Sequence, residues 1–167
     1  MTGERFYGKY RGKVVANDDP NKLGRVRAVC PVVLGDTTLN WALPSTPYAG
    51  PGLGFFAVPP VGADVWMEFE GGDVDVPIWA GCFWSTGQVP VGSGKASTKM
   101  LKTDGLTLTV DDTRNSGGVT IEVGSPVVSG TLRIELSSDG IVLTNGSASV
   151  KLDSASVSLN DGALKVT

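Results

Sequence analysis

All twelve aromatic residues of this 167-residue chain lie between Phe6 and Trp84, leaving the last 83 positions with none. Whatever the second half folds into, it packs without a single ring. Nine of the ten prolines also fall at or before Pro90, and from about Val91 the sequence is Gly, Ser, Thr, Asn, Asp and short aliphatics. The run from Gly87 to Gly94, GQVPVGSG, has the Gly/Pro/Ser content of a linker. The chain therefore reads as an N-terminal arm over 1–10, a first domain over 11–86, a linker over 87–104 and a repetitive body over 105–167.

That body alternates with period two. Aliphatic residues recur as Leu106/Leu108/Val110, Val119/Ile121/Val123, Leu132/Ile134/Leu136, Ile141/Leu143, Val150/Leu152, Val157/Leu159 and Leu164/Val166. Turn-forming pairs such as Asp139-Gly140, Asn145-Gly146 and Asp161-Gly162 separate them. The spacing between units shortens towards the C-terminus, which predicts a tapering body. Each unit offers only two or three small inward side chains, too little to offset roughly 1–2 kcal/mol of backbone entropy per ordered residue. Several copies winding together around a thin aliphatic core would remedy this, and three is the smallest number of flat walls that encloses an axis. The expected core positions are Leu106, Leu108, Val119, Ile121, Leu132, Ile134, Ile141, Leu143, Val150, Leu152, Val157, Leu159, Leu164 and Val166. Lys151, Asp153, Ser156, Ser158, Asn160 and Lys165 would supply the polar exterior.

The first domain shows no helical period. Strands are expected at 10–16, 24–32, 41–43, 64–70 and 78–84, with Asn17-Asp18-Asp19-Pro20-Asn21 a dense turn and 44–54 a Pro/Gly loop. Five strands in so short a stretch suit a small closed barrel, and the five-stranded OB-fold is the natural candidate. The fold class is all-β: an OB barrel followed by an intertwined trimeric β-helix or β-prism.

Composition removes much chemistry. The chain has no histidine, which excludes Ser-His-Asp and Cys-His catalysis and every histidine-ligated metal site. Two cysteines make neither a disulfide framework nor a four-thiolate zinc site; Cys30 and Cys82 are expected as buried, reduced core residues. No run approaches the ~18 apolar residues of a membrane-spanning helix. Met1-Thr2-Gly3-Glu4-Arg5 leads into no apolar segment, so no signal peptide is expected. No cofactor is called for.

The residues of the first domain resemble the OB domain of baseplate spike proteins from contractile phage tails and related injection systems, the phage baseplate assembly protein V and VgrG-like group. The resemblance rests on Tyr10-Arg11-Gly12-Lys13-Val14, Asp19-Pro20-Asn21-Lys22-Leu23-Gly24-Arg25-Val26-Arg27, Trp41-Ala42, the stretch FFAVPPVGADV over 55–65, Phe69-Glu70-Gly71-Gly72-Asp73 and Pro77-Ile78-Trp79-Ala80-Gly81. The repeats are similar in composition to the trimeric needle of the same group. What this implies is a structural, non-enzymatic central spike: a homotrimer seated on tail hub and baseplate proteins, assembled in the bacterial cytoplasm as part of a phage tail or tail-like particle, and contacting the target membrane. Relatives that insert a lysozyme domain after the barrel have no counterpart here. Those that end in a histidine-bound iron need a residue this sequence lacks. A separate PAAR-like tip protein is expected instead, docking on Gly162, Ala163, Leu164, Lys165, Val166 and Thr167.

Sharper readings compete with bland ones. Glu68 and Glu70 lie at a spacing a glycosidase could use, yet Asp64, Asp73 and Asp75 crowd the same region, and an acidic solvent face is the simpler account. Every Lys and Arg of the barrel falls within residues 5–27 and none within 28–94, so Arg11, Lys13, Arg25 and Arg27 are candidate hub contacts. With Trp41, Trp66 and Trp79 these cations could instead line a nucleic-acid groove, but the net charge of −3 opposes it. Gly50-Pro51-Gly52-Leu53-Gly54 lacks the GK[ST] of a phosphate loop and reads as plain surface. The Asp111-Asp112 and Asn145-Gly146 pairs, at no fixed repeat position, read as turns. An OB binding module on a β-repeat stalk, for glycan or nucleic acid, and a cell-wall hydrolase are the alternatives to the spike.

Overall fold

The structure, a computed structural model, describes residues 4–90 and 94–166. It divides into two compact units between Gln88 and Val89.

The first unit is a five-stranded curled sheet. Its strands are β1 (Tyr10–Ala16), β2 (Arg27–Val29), β3 (Leu43–Pro44), β6 (Asp64–Phe69) and β7 (Pro77–Phe83), in the order β2-β1-β6-β7-β3. Two further short strands, β4 (Ala49–Gly50) and β5 (Leu53–Gly54), form a hairpin of their own. The sheet closes because Val26, just before β2, bridges to Ala42, just before β3. The Ala42 N–H donates to Val26 O at 2.8 Å and the Val26 N–H donates to Ala42 O at 3.2 Å. Closure leaves fewer raw strand edges and encloses a core of Val14, Val26, Ala28, Leu39, Val65 and Met67. Gly12 is required here: a Cβ on it would stand 2.7 Å from Met67 Cγ and 3.1 Å from Val29 O. The arm packs on the barrel too, with the Phe6 N–H donating to Gly72 O and the Phe6, Tyr10 and Phe69 rings clustered about 6 Å apart.

Asp19 organises the loop between β1 and β2. Its buried carboxylate accepts hydrogen bonds from the backbone N–H groups of Asn21, Leu23 and Arg25 and from the Arg25 guanidinium, the shortest at 2.6 Å. Lys22 adopts positive φ (55°) inside that loop, a conformation these bonds hold in place.

The second unit is one antiparallel sheet of eight strands in strict sequence order. They are β8 (Thr98–Lys102), β9 (Leu106–Asp111), β10 (Gly118–Val123), β11 (Leu132–Ser137), β12 (Gly140–Asn145), β13 (Ala148–Leu152), β14 (Val157–Leu159) and β15 (Leu164–Val166). All seven aliphatic units fall on strands. β8 departs from the expectation: part of the stretch read as linker (87–104) is the sheet's first strand, held by pairs such as Leu101 with Leu108. Each strand pairs with its neighbours in the same chain, so a chain builds a whole wall by itself. The wall narrows from six-residue strands at β9–β12 to three-residue strands at β14 and β15.

Among the described residues, helix is confined to one turn at Pro31–Leu34 and two 3-10 turns. Cys30 is buried as expected, whereas Cys82 is exposed. The cause is a bulge: Val65 pairs with Cys82 but Met67 with Trp79, so β7 carries extra residues opposite Trp66. Beyond that bulge the sheet's inner face opens into a surface groove, which Cys82 lines.

The Arg25 guanidinium and the backbone donors hold the Asp19 carboxyl well below the usual carboxylate range. Its folded value lies below its unfolded one, so its contribution to stability is complete above about pH 5 and disappears as the pH falls through the depressed value. Asp19→Asn is expected to lower the thermal midpoint at pH 7 and to flatten its decline between about pH 5 and pH 2. Thermal melts of both proteins across that range test this; parallel curves would show that Asp19 makes no such contribution. The flattening is partial, because Asp64, Asp111 and Asp153 are lowered as well.

Candidate functional site

The register of the second unit gathers the expected core positions onto one face. Residues directly opposite in an antiparallel pair share a face. One ladder runs Leu101, Leu108, Ile121, Ile134, Leu143, Val150, Leu159, Leu164; a second runs Val110, Val119, Leu136, Ile141, Leu152, Val157, Val166. Leu106, Val123 and Leu132 extend it. The opposite face carries Thr109, Thr120, Glu135, Val142, Lys151 and Ser158 in one row and Thr107, Glu122, Arg133 and Thr144 in the next. There Arg133 bridges its cross-strand neighbour Glu122 at 3.6 Å and Glu135 at 2.9 Å.

Among the described residues, no second layer of this unit covers the aliphatic face. Leu143 is 44% exposed, Leu152 46% and Val166 63%, although each is flanked by further aliphatics. An amphipathic sheet of eight strands with one uncovered apolar face is a surface built to be buried.

The strand designated for tip docking, β15, pairs only with β14 among the described residues, so its other edge carries free backbone donors and acceptors. Gly162 ends the 3-10 turn at 160–162, Ala163 follows it, and Leu164 and Val166 are exposed. The Lys165 side chain and Thr167 lie outside the described residues.

The four barrel cations have partners at home. Lys13 Nζ lies 2.7 Å from Asp64 Oδ1, and Ser85 Oγ donates to the same carboxylate, which is held below the usual range. Arg25 is committed to Asp19 and lies over the Trp41 ring. Arg27 Nε donates to Leu39 O, and Arg11 stacks 5.5–5.8 Å from the Phe83 and Trp66 rings. Lys9 and Arg5 similarly pair with Glu68 and Asp73. The charge separation evident along the sequence is thus neutralised where β1 and the residues before it lie against β6 and the turn after it. Glu68 is tied to Lys9, and Glu70 has left the strand for a 3-10 turn, so the two carboxylates do not stand as a facing pair. Among the described residues, no group of three metal-ligating side chains comes together.

Against this geometry, two family models match the chain. The type VI secretion system/phage-baseplate injector OB domain matches residues 10–84. The phage baseplate V C-terminal trimerisation domain matches residues 98–165, from the first strand of the eight-stranded sheet to the last. No curated protein matches the chain.

Sequence reasoning missed β8, whose Lys99-Met100-Leu101-Lys102 carries a single residue of the aliphatic ladder, and the Asp19 carboxylate as the centre of its loop. An aspartate two residues before an asparagine in a turn was the available signal.

Ile134→Asp or Leu143→Asp is expected to abolish trimer formation while the barrel stays folded, because three carboxylates would meet on the covered face away from water. Sedimentation gives the mass, and near-ultraviolet circular dichroism of the barrel's aromatics reports its fold. Native-like trimers of these variants would contradict an interface on this face.

Proposed function

The chain belongs to the phage baseplate V family, combining its injector OB domain with its trimerisation domain, and on that premise we propose that it is the central spike of a contractile injection apparatus. Three copies would turn their aliphatic faces inward as the walls of a β-prism, leaving the Thr/Glu/Arg/Lys faces to solvent. The observation that carries this is the uncovered aliphatic face of one eight-stranded wall, coextensive with the trimerisation-domain match.

The mechanism is mechanical. Eight strands at about 4.8 Å spacing make a wall on the order of 35 Å long, comparable to the ~30 Å hydrocarbon core of a bilayer. The strands shorten along it, so the end bearing β15 is the narrow one. A polar exterior, a dry aliphatic interior and a continuous hydrogen-bonded ladder suit a rod driven through a membrane by sheath contraction. The barrel anchors this rod on the hub. Arg11 and Arg27 make no ion pair among the described residues and are the cations best placed to serve there.

At the narrow end, the unpaired edge of β15 with exposed Leu164 and Val166 offers backbone pairing and aliphatic contact to a PAAR-like tip protein. The absence of histidine leaves no residue for a histidine-bound metal point within this sequence.

Native mass spectrometry at micromolar concentration is expected to show a homotrimer; a folded monomer would overturn the reading. In a pull-down with hub protein from the same machine, residues 1–90 are expected to be retained and residues 95–167 not. Deleting residues 162–167 should leave the trimer intact and abolish tip-protein binding, whereas electron microscopy of a native particle with no density beyond β15 would remove the tip protein from the scheme.

A further inference from the structure

The aliphatic face of the second unit differs between its two margins. On β11, β12 and β13 one margin carries Leu132, Asn145 and Ala148, opposite one another in the ladder, and the other carries Leu136, Ile141 and Leu152. At the first margin the side chains shrink from Leu to Asn to Ala. A hollow of about 530 Å³ opens beside them, walled by Ile134, Leu143 and Val150. Asn160 closes its narrow end: the Asn160 Oδ1 accepts a hydrogen bond from the Ser149 N–H at 2.9 Å, which ties the 160–162 turn to the start of β13. Leu136, Ile141 and Leu152 take no part in lining the hollow. They stand in a row as a ridge of full-sized aliphatics, each at least 40% exposed. Hollow and ridge thus occupy opposite ends of the same strands.

We propose that the Leu136/Ile141/Leu152 ridge of one copy seats in the hollow of the next, so that each trimer contact joins opposite margins of neighbouring walls. Three observations select a second copy of this chain as the occupant. Hollow and ridge both lie within residues 98–165, the stretch that matches the trimerisation domain, and both are continuous with the aliphatic face. A ring of three is closed by heterologous contacts, which need two different surfaces on each subunit, and the two margins are different surfaces. Finally, rotation about a threefold axis moves nothing along that axis, so surfaces that meet must stand at the same height in their own walls. Ridge and hollow do, because both are centred on β11, β12 and β13.

The inference rests on the trimer reading, and the experiment separates the two. Ala148 and Leu152 sit at opposite margins of β13, about 13 Å apart along the strand, too far for a disulfide within one chain. Ala148→Cys with Leu152→Cys, in a Cys82→Ala background, is expected to give a covalent trimer on mild oxidation, read on a denaturing gel. Either cysteine alone is expected to leave monomers on that gel. Dimers from a single-cysteine variant would show that like margins meet, and would overturn the proposal. So would a pair that fails to cross-link in a chain that native mass spectrometry shows to be trimeric. Ala148→Leu in the unsubstituted chain reads the same contact without cysteines, and decides the matter where the cysteine pair disturbs assembly. With the ridge of the next copy already in the hollow, the added bulk is expected to lower the trimer's thermal midpoint by a few degrees. Leu152→Ala, which trims the ridge, is expected to cost less on top of Ala148→Leu than it costs alone. A raised midpoint, or costs that simply add, means an unoccupied hollow and overturns the ridge contact while leaving the trimer standing. A monomeric parent chain overturns both readings.

Discussion

Everything in the second unit follows from one uncovered face. An eight-stranded single-layer sheet satisfies its internal backbone ladder but leaves a stripe of Leu, Ile and Val half in water. Finishing the burial of such a side chain is worth on the order of 1 kcal/mol, and a wall offers more than a dozen. Association of three copies costs several kcal/mol per step in lost freedom, well within what three such walls can return. The sheet alone has no second layer to close its core.

The barrel solves the same problem by curling. Its five strands close through the Val26–Ala42 bridge, so β1, β6 and β7 bury Val14, Val65, Met67 and Trp79 against one another within a single chain. The pairing of β1 with β6 also sets cations against acids: Lys13 meets Asp64 and Lys9 meets Glu68. A charge imbalance in sequence became an internal balance in space. The exposed Lys9–Glu68 pair adds little stability, whereas the Asp64 carboxylate of the other pair is buried; together they leave the outer face of these strands without a large field of one sign. The buried Asp19–Arg25 pair differs, since its five hydrogen bonds fix the path of the chain into β2.

The period-two aliphatic pattern was legible to the residue, because each wall strand is half-buried on one side only and each turn has room for Gly, Asn or Asp. The five barrel strands were legible for the same reason, with ends shifted by at most three residues. What escaped is what depends on distant partners. β8 is a strand only because β9 offers it an open edge; its own residues hardly alternate in hydropathy. The exposure of Cys82 depends on a bulge in β7, which alternation cannot foresee. The 44–54 stretch was legible only as a loop, because Pro and Gly announce a turn but not which side chains the turn will hold outward.

In the proposed three-walled prism the absence of rings from the second unit is a consequence of width. In a three-walled prism each wall faces the axis with side chains that must meet two others at nearly the same level. Sheets packed face to face stand about 10 Å apart, and around a narrow axis the space per side chain is smaller than between two broad sheets. Leu, Ile and Val fill it; a Trp or Phe from each chain would bring three rings to one level and force the walls apart, an overpacking that interiors do not absorb. Aromatics therefore collect in the barrel, where one chain encloses its own core and the Phe69 ring clusters with Phe6 and Tyr10. As the strands shorten to three residues at β14 and β15, the allowance narrows further, and the last ladder positions, Val157, Leu159, Leu164 and Val166, are aliphatic without exception. The division of residue types that separates the two halves of the sequence is the division between a core enclosed by one chain and a core shared by three.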